Sequence, residues 1–167
     1  MEKWDAYDKN FRKIDGVTLI RGEPIPAGLH HLVCDVLVQH EDGDYLLMKR
    51  DPCKHFGGMW EATAGGSALM GETPPDCARR ELFEETGLCA VELRELGRVY
   101  STDTIYVEFF CRTDCRKDSV VLQEGETCDY RWVSRDELVR MRSDELITKR
   151  MQGFISELRA ERADERP

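Results

Sequence analysis

The residues of this chain most able to do chemistry are four glutamates and an arginine in one short stretch. Gly66 is followed after five residues by Glu72, and after seven more by Arg80-Glu81-Leu82-Phe83-Glu84-Glu85-Thr86-Gly87-Leu88. At about 100° per residue, Glu81, Glu84 and Glu85 fall within about 100° of one another on one helical face. Glu72 lies on the loop leading into that helix. Gathering carboxylates is unfavourable without a counter-charge: each like-charge pair near 4 Å costs on the order of 4 kcal/mol at an effective dielectric of about 20. A hard divalent cation reverses the sign, because Mg²⁺ takes carboxylate oxygens, water and substrate phosphate. Arg80 reaches Glu84 one turn on and can orient it. An acidic face that only solubilises a helix requires neither the glycine spacing nor a carboxylate on the preceding loop, so the pattern favours a metal site.

The elements that must position this face are also legible. Thr73 serves as N-cap with Asp76 three residues on, Pro74 suits the first helical turn, and Gly87 closes the helix. Upstream, 31–38 reads as a strand, Glu41-Asp42-Gly43-Asp44 as a turn and 45–50 as the returning strand. Residues 51–58 form a loop, and 59–64 run extended into Gly65-Gly66. Downstream come strands near 91–100, 104–112 and 128–133. Ser134-Arg135-Asp136-Glu137 is a capping box opening a helix, and a last helix is expected from about 143 to 159, with Leu146, Met151, Phe154, Ile155 and Leu158 as its apolar stripe. Residues 1–29 form an N-terminal arm, with Trp4 and Tyr7 as anchors and Val17-Thr18-Leu19-Ile20 as a short strand; the domain proper spans 30–158, and a charged tail, 159–167, should fray. Strands and helices mix with hairpin connections, so the fold class is α+β with helices flanking a mixed sheet.

Composition narrows the partners. The 167 residues carry 24 basic and 33 acidic side chains, a net charge of −9, and 41% are apolar. No basic run offers a footprint for a nucleic acid polymer, yet an acidic chain can bind a small anion where divalent cations invert the local charge. No stretch of about 18 apolar residues suggests a membrane span. The first residues have no apolar core of a secretion signal, so the expected setting is cytoplasmic. Seven cysteines make an odd count, and Cys111 and Cys115 form a lone CxxxC without a second pair. They read as small core residues rather than a disulfide framework or zinc site.

Gly66, Glu72, Arg80, Glu81, Leu82, Glu84, Glu85, Gly87 and Leu88 match every fixed position of G-x5-E-x7-R-E-U-x-E-E-x-G-U, and the chain therefore resembles the MutT-like Nudix hydrolases. The resemblance implies an α/β/α sandwich with this segment as a loop–helix–loop. It also implies a bound Mg²⁺ or Mn²⁺ and attack of water on a nucleoside diphosphate linked to another moiety, such as a triphosphate, an oxidised nucleotide or a nucleotide sugar. Carried over, Glu81, Glu84 and Glu85 are the metal ligands, and a backbone carbonyl at Gly65-Gly66 adds an oxygen. Glu81 or a later loop glutamate orients the water. Glu126, six residues before Trp132, is the candidate, with Glu124 its neighbouring alternative. Glu72 supports the site directly or as the partner of Arg80.

The arm, with Trp4-Asp5-Ala6-Tyr7-Asp8 and Arg21-Gly22-Glu23-Pro24, resembles a bacterial branch likened to isopentenyl-diphosphate isomerase. That enzyme needs a cysteine five residues after the tryptophan equivalent to Trp60 and a histidine two further on, where this chain has Gly65 and Ser67; His31 alone matches. Hydrolysis is therefore expected over isomerisation. A nucleotide sensor without turnover is the alternative, but it should have lost carboxylates that are all present. Substrate contacts are sought among Arg50, which can fork onto a phosphate, and the aromatics Phe56, Trp60, Tyr106 and Tyr130. Nudix domains with an arm often pair, which makes a homodimer the matching expectation.

Overall fold

A computed structural model describes residues 1–61, 63–142, 144–145 and 154. Its centre is β3 (His31–His40), which runs parallel to β8 (Thr104–Thr113) through ten consecutive residue pairs. Leu32, Cys34, Val36 and Val38 alternate onto one face and Leu37 onto the other, and all are buried. A strand covered on both faces must be apolar on both. β7 (Glu92–Tyr100) pairs with the far side of β8 as an outer strand.

The other side of β3 is shared. The turn at 41–44 returns the chain into β4 (Tyr45–Arg50), as expected, with Gly43 at φ 99°. Beyond the single pair Gln39–Tyr45, however, β4 diverges to pair with β5 (Trp60–Glu61) and β9 (Thr127–Val133). The place beside β3 is taken by β6 (Thr63–Ser67). The extended segment thus does not stop before the glycine pair but runs through it. The reason is steric: a Cβ on Gly65 would lie 2.5 Å from the Cys34 carbonyl oxygen. Only glycine permits this approach of two backbones.

Helix α1 (Pro74–Thr86) crosses one face of the sheet. The Thr73 hydroxyl accepts from the Asp76 N–H, and Gly87, at φ 71°, donates its N–H to the Phe83 carbonyl at 2.8 Å. Its buried residues Cys77, Ala78, Leu82 and Thr86 face the sheet. Leu82 is fully enclosed, a burial that stabilises by about 2–3 kcal/mol. On the opposite face, α2 (Arg135–Arg140), opened by the Ser134–Glu137 capping box, packs Leu138 and Val139 on Leu37, Tyr45, Leu47 and Val133. The two helices therefore enclose the sheet in an α+β sandwich. Of the expected last helix and the charged tail, the described residues include only Asp144 and Glu145, which form a turn rather than helix, and Phe154, whose ring meets Tyr45 edge-on at 6.0 Å. No helix among the described residues is long and apolar enough to cross a membrane.

The arm is a hairpin of β1 (Lys3–Tyr7) and β2 (Lys13–Ile20), longer than the four-residue strand expected, with its own core of Trp4, Ala6 and Leu19. It grips the loop before α1: Met70 N–H donates to the Lys3 carbonyl and Gly71 N–H to Asp5 Oδ2, both at 2.8 Å. All seven cysteines are free; Cys34, Cys77 and Cys111 are buried, and burial pushes the Cys111 thiol up to about 11.

Candidate active site

The C-terminal two turns of α1, the glycines of β6, the 123–126 loop and the arm enclose a cleft of about 240 Å³. Glu81, Glu84, Glu85, Gly65, Gly66 and Glu126 line it. Of the two loop carboxylates, Glu126 faces this space; Glu124 is exposed and does not line it.

Arg80 organises the helix face. Its Nε and Nη2 grip both oxygens of Glu72 at 2.6 and 2.9 Å; Nη1 donates to Glu81 Oε1 at 2.7 Å and Glu84 Oε2 at 3.0 Å; Nη2 also reaches the Ser67 carbonyl at 3.0 Å. Five acceptors take the five N–H donors of one guanidinium. Glu72 is thereby held below the usual carboxylate range, helped by the Leu69 N–H at 2.8 Å. Glu81 is pushed above it by burial, against the pull of Arg80.

Among the described residues, Glu85 has no such cation. Its Oε2 accepts only a 3.2 Å bond from the Gly65 N–H. Burial, then the charges of Glu61 and Glu81, with a further push from Glu126, raise its carboxyl to about 8. Glu61, Glu81 and Glu126 each have a cation of their own, in Arg50, Arg80 and Lys54, whereas Glu85 has none among the described residues. The Glu81 carboxylate sits directly over Gly66, where a Cβ would approach its Oε2 to 2.6 Å, and the Gly66 carbonyl accepts from the Cys77 thiol at 3.6 Å. Among the described residues no three His, Cys, Asp or Glu side chains stand ready-gathered as a metal cage, because Arg80 draws Glu81 and Glu84 to itself. The donor set, carboxylates beside a glycine backbone with an uncompensated charge, nevertheless fits a hard divalent cation.

The remaining sequence candidates are scattered. Arg50 donates to Glu61 at 2.5 Å and to the His55 carbonyl at 3.1 Å, so it faces a carboxylate. Trp60 lies on the α2 side of the sheet, under Arg131 at 4.4 Å, opposite in alternation to Glu61. Phe56 is half exposed on its loop at φ 60°, against His55. Tyr130 packs on the main core. None of Arg50, Phe56, Trp60, Tyr106 and Tyr130 lines the cleft. Four residues missed in sequence do bear on it. Lys54 is ion-paired with Glu126, Glu61 adds its charge beside Glu85, and Glu2 and Arg21 form part of the wall. Only Glu61 had a local signal, the strand alternation that turns it away from Trp60.

A model of the NUDIX domain family matches residues 29–157. A Listeria monocytogenes protein described as an uncharacterised Nudix hydrolase is 35% identical over 150 residues, 86% of each chain. The isopentenyl-diphosphate Delta-isomerase of Burkholderia multivorans is 33% identical over 125 residues, 71% of this chain and 70% of the relative. In fold, DR0079 of Deinococcus radiodurans aligns with a TM-score of 0.74 at 17% identity, covering 94% of this chain and 99% of that one. The NUDIX domain of NrtR from Shewanella oneidensis, solved with ADP-ribose, aligns at 0.62 and 19% identity over 80% of this chain and 88% of the other. With the family match spanning most of the chain and the glutamate helix, glycine strand and sandwich all in place, the chain belongs to the Nudix hydrolases.

Proposed function

We propose that this chain is a metal-dependent pyrophosphohydrolase that cleaves the diphosphate linkage of a small nucleoside diphosphate derivative: a nucleoside triphosphate, an oxidised nucleotide or a nucleotide sugar. The observation that carries the reading is the cleft where Glu81, Glu84, Glu85 and Glu126 meet the glycines of β6, with Glu85 raised to about 8 by burial and by its acidic neighbours and lacking a paired cation among the described residues. The ADP-ribose bound by the NrtR NUDIX domain supports a nucleotide derivative as ligand.

Glu81, Glu84 and Glu85, with the backbone at Gly66, would hold Mg²⁺ or Mn²⁺, which would supply charge neutralisation at phosphate and a more acidic water. Arg80 holds the carboxylates of Glu81 and Glu84 at the edge of the cleft. Glu126 accepts a proton from the attacking water at a carboxylate oxygen, once released from Lys54; Lys54 then remains as a cation beside the departing phosphate. Gly65 argues against isomerisation, because a cysteine side chain there would collide with the Cys34 carbonyl. His31 is also spent elsewhere, its Nε2 on Thr104 Oγ1 at 3.0 Å and its ring on Trp4.

The test is a panel of nucleoside triphosphates, oxidised dGTP, ADP-ribose, other nucleotide sugars and isopentenyl diphosphate, each with and without Mg²⁺. Cleavage of one diphosphate linkage, stopped by EDTA and restored by Mg²⁺ or Mn²⁺, is expected. Tight binding of one compound without hydrolysis of any would replace the enzyme by a sensor, and isomerised isopentenyl diphosphate would overturn the argument from Gly65.

A further inference from the structure

The arm supplies the cleft with one arginine that the glutamate chemistry does not use. Arg21, in the turn just past β2, lines the same space as Glu81, Glu84 and Glu85, and its side chain is 65% exposed. It is held rather than loose. Its Nη1 donates to Glu2 Oε2 at 2.8 Å and its backbone N–H to the Glu2 carbonyl at 3.0 Å. Glu2 is itself fixed by the Trp4 indole N–H on Oε1 at 2.7 Å. The Trp4 ring is stacked on His31 of β3 at 4.2 Å. A continuous set of contacts thus runs from the central strand to the guanidinium. The hydrogen bonds from Met70 and Gly71 to the arm lock this wall to the loop that carries Glu72.

Glu2 takes one nitrogen of Arg21, which leaves most of a fork suited to phosphate oxygens. Arg80, the other cation lining the cleft, has all five donors on Glu72, Glu81, Glu84 and Ser67. A phosphate lying beyond the linkage held at the glutamates therefore has Arg21 as its partner among the lining residues.

We propose that Arg21 is a specificity-determining residue that grips a further phosphate of the substrate, beyond the diphosphate held at the glutamates, with Glu2 orienting its guanidinium. The assignment rests on the hydrolase reading for the position of that diphosphate. It favours substrates with three consecutive phosphoryl groups over those with two.

The test is calorimetric titration of the full chain with tripolyphosphate and with pyrophosphate, both in Ca²⁺. The wild type should bind tripolyphosphate at least about 10-fold more tightly than pyrophosphate. Arg21→Gln should remove most of that preference while changing pyrophosphate affinity less than about twofold; Arg21→Lys should restore part of it, and Glu2→Gln should weaken it in the same direction. In turnover, Arg21→Gln should raise KM for a nucleoside triphosphate and leave kcat within about threefold. Equal losses on both probes, no loss on either, or a wild type without preference would overturn the proposal. Failure of the hydrolase reading is separately visible, as a wild type that keeps the binding preference and cleaves no diphosphate linkage.

Discussion

Glu85 Oε2 lies 3.2 Å from the Gly65 N–H, joining the last turn of α1 to the glycine strand. The two residues are 20 apart in sequence, and the contact draws a carboxylate into a space where its nearest charges are other carboxylates. The fold thus holds this group at a cost that a divalent cation relieves, and most of the behaviour expected of the protein follows from that.

Glu85→Gln and Glu84→Gln should each lower turnover by at least on the order of 10²-fold, since each removes a charge needed to hold the cation. Circular dichroism should show an unchanged fold. Full activity in both variants would sink the metal assignment.

Stability should depend on pH through Glu85. Its carboxyl is raised to about 8 in the folded chain against 4.5 ordinarily. Between these values the folded state holds a proton that the unfolded chain has lost, so stability is fully present below pH 4.5 and falls as pH rises through about 8. Without metal, Tm should drop by about 5 °C or more between pH 5 and 8.5. Mg²⁺ should flatten that slope, as should Glu85→Gln. A metal-free Tm that rises across the window would contradict the burial of Glu85.

The adjacent glycines should respond differently to alanine. At Gly65 the new Cβ meets the Cys34 backbone oxygen at 2.5 Å, which cannot yield, so Gly65→Ala should destabilise by about 1–3 kcal/mol. At Gly66 it meets the movable end of Glu81. Gly66→Ala should therefore cost activity more than stability. Denaturant unfolding beside steady-state kinetics would separate the two, and a reversed order would be evidence against this placement of Glu81.

Arg80→Lys keeps one positive charge but cannot serve five acceptors at once. A loss of about 1–3 kcal/mol is expected from the charged hydrogen bonds removed, together with about 10- to 100-fold weaker Mg²⁺ binding as Glu81 and Glu84 lose their orientation. Calorimetric titration with Mg²⁺ tests this directly; unchanged affinity would make Arg80 a stabilising residue only.

Glu126→Gln should reduce kcat by on the order of 10²- to 10⁴-fold with little change in KM, the pattern of a lost proton acceptor. A large rise in KM at constant kcat would instead place Glu126 in substrate binding.

What the sequence determined by itself is local. The caps Thr73 and Gly87, the single face shared by Glu81, Glu84 and Glu85, the Ser134 box and the alternation of β3 are fixed by neighbours within a turn of helix or along one strand, where periodicity and capping act. The tertiary structure decided what those elements meet. The five-way grip of Arg80 depends on the loop before α1 folding back; the ion pair of Lys54 with Glu126 spans 72 residues, and Arg21 lines the glutamate cleft only because the arm docks on Met70 and Gly71. The hairpin reading of β3 and β4 fell short for the same reason. Which strand lies beside β3 depends on how closely two backbones can approach, and that was settled by Gly65 against Cys34, a contact between residues distant in the chain.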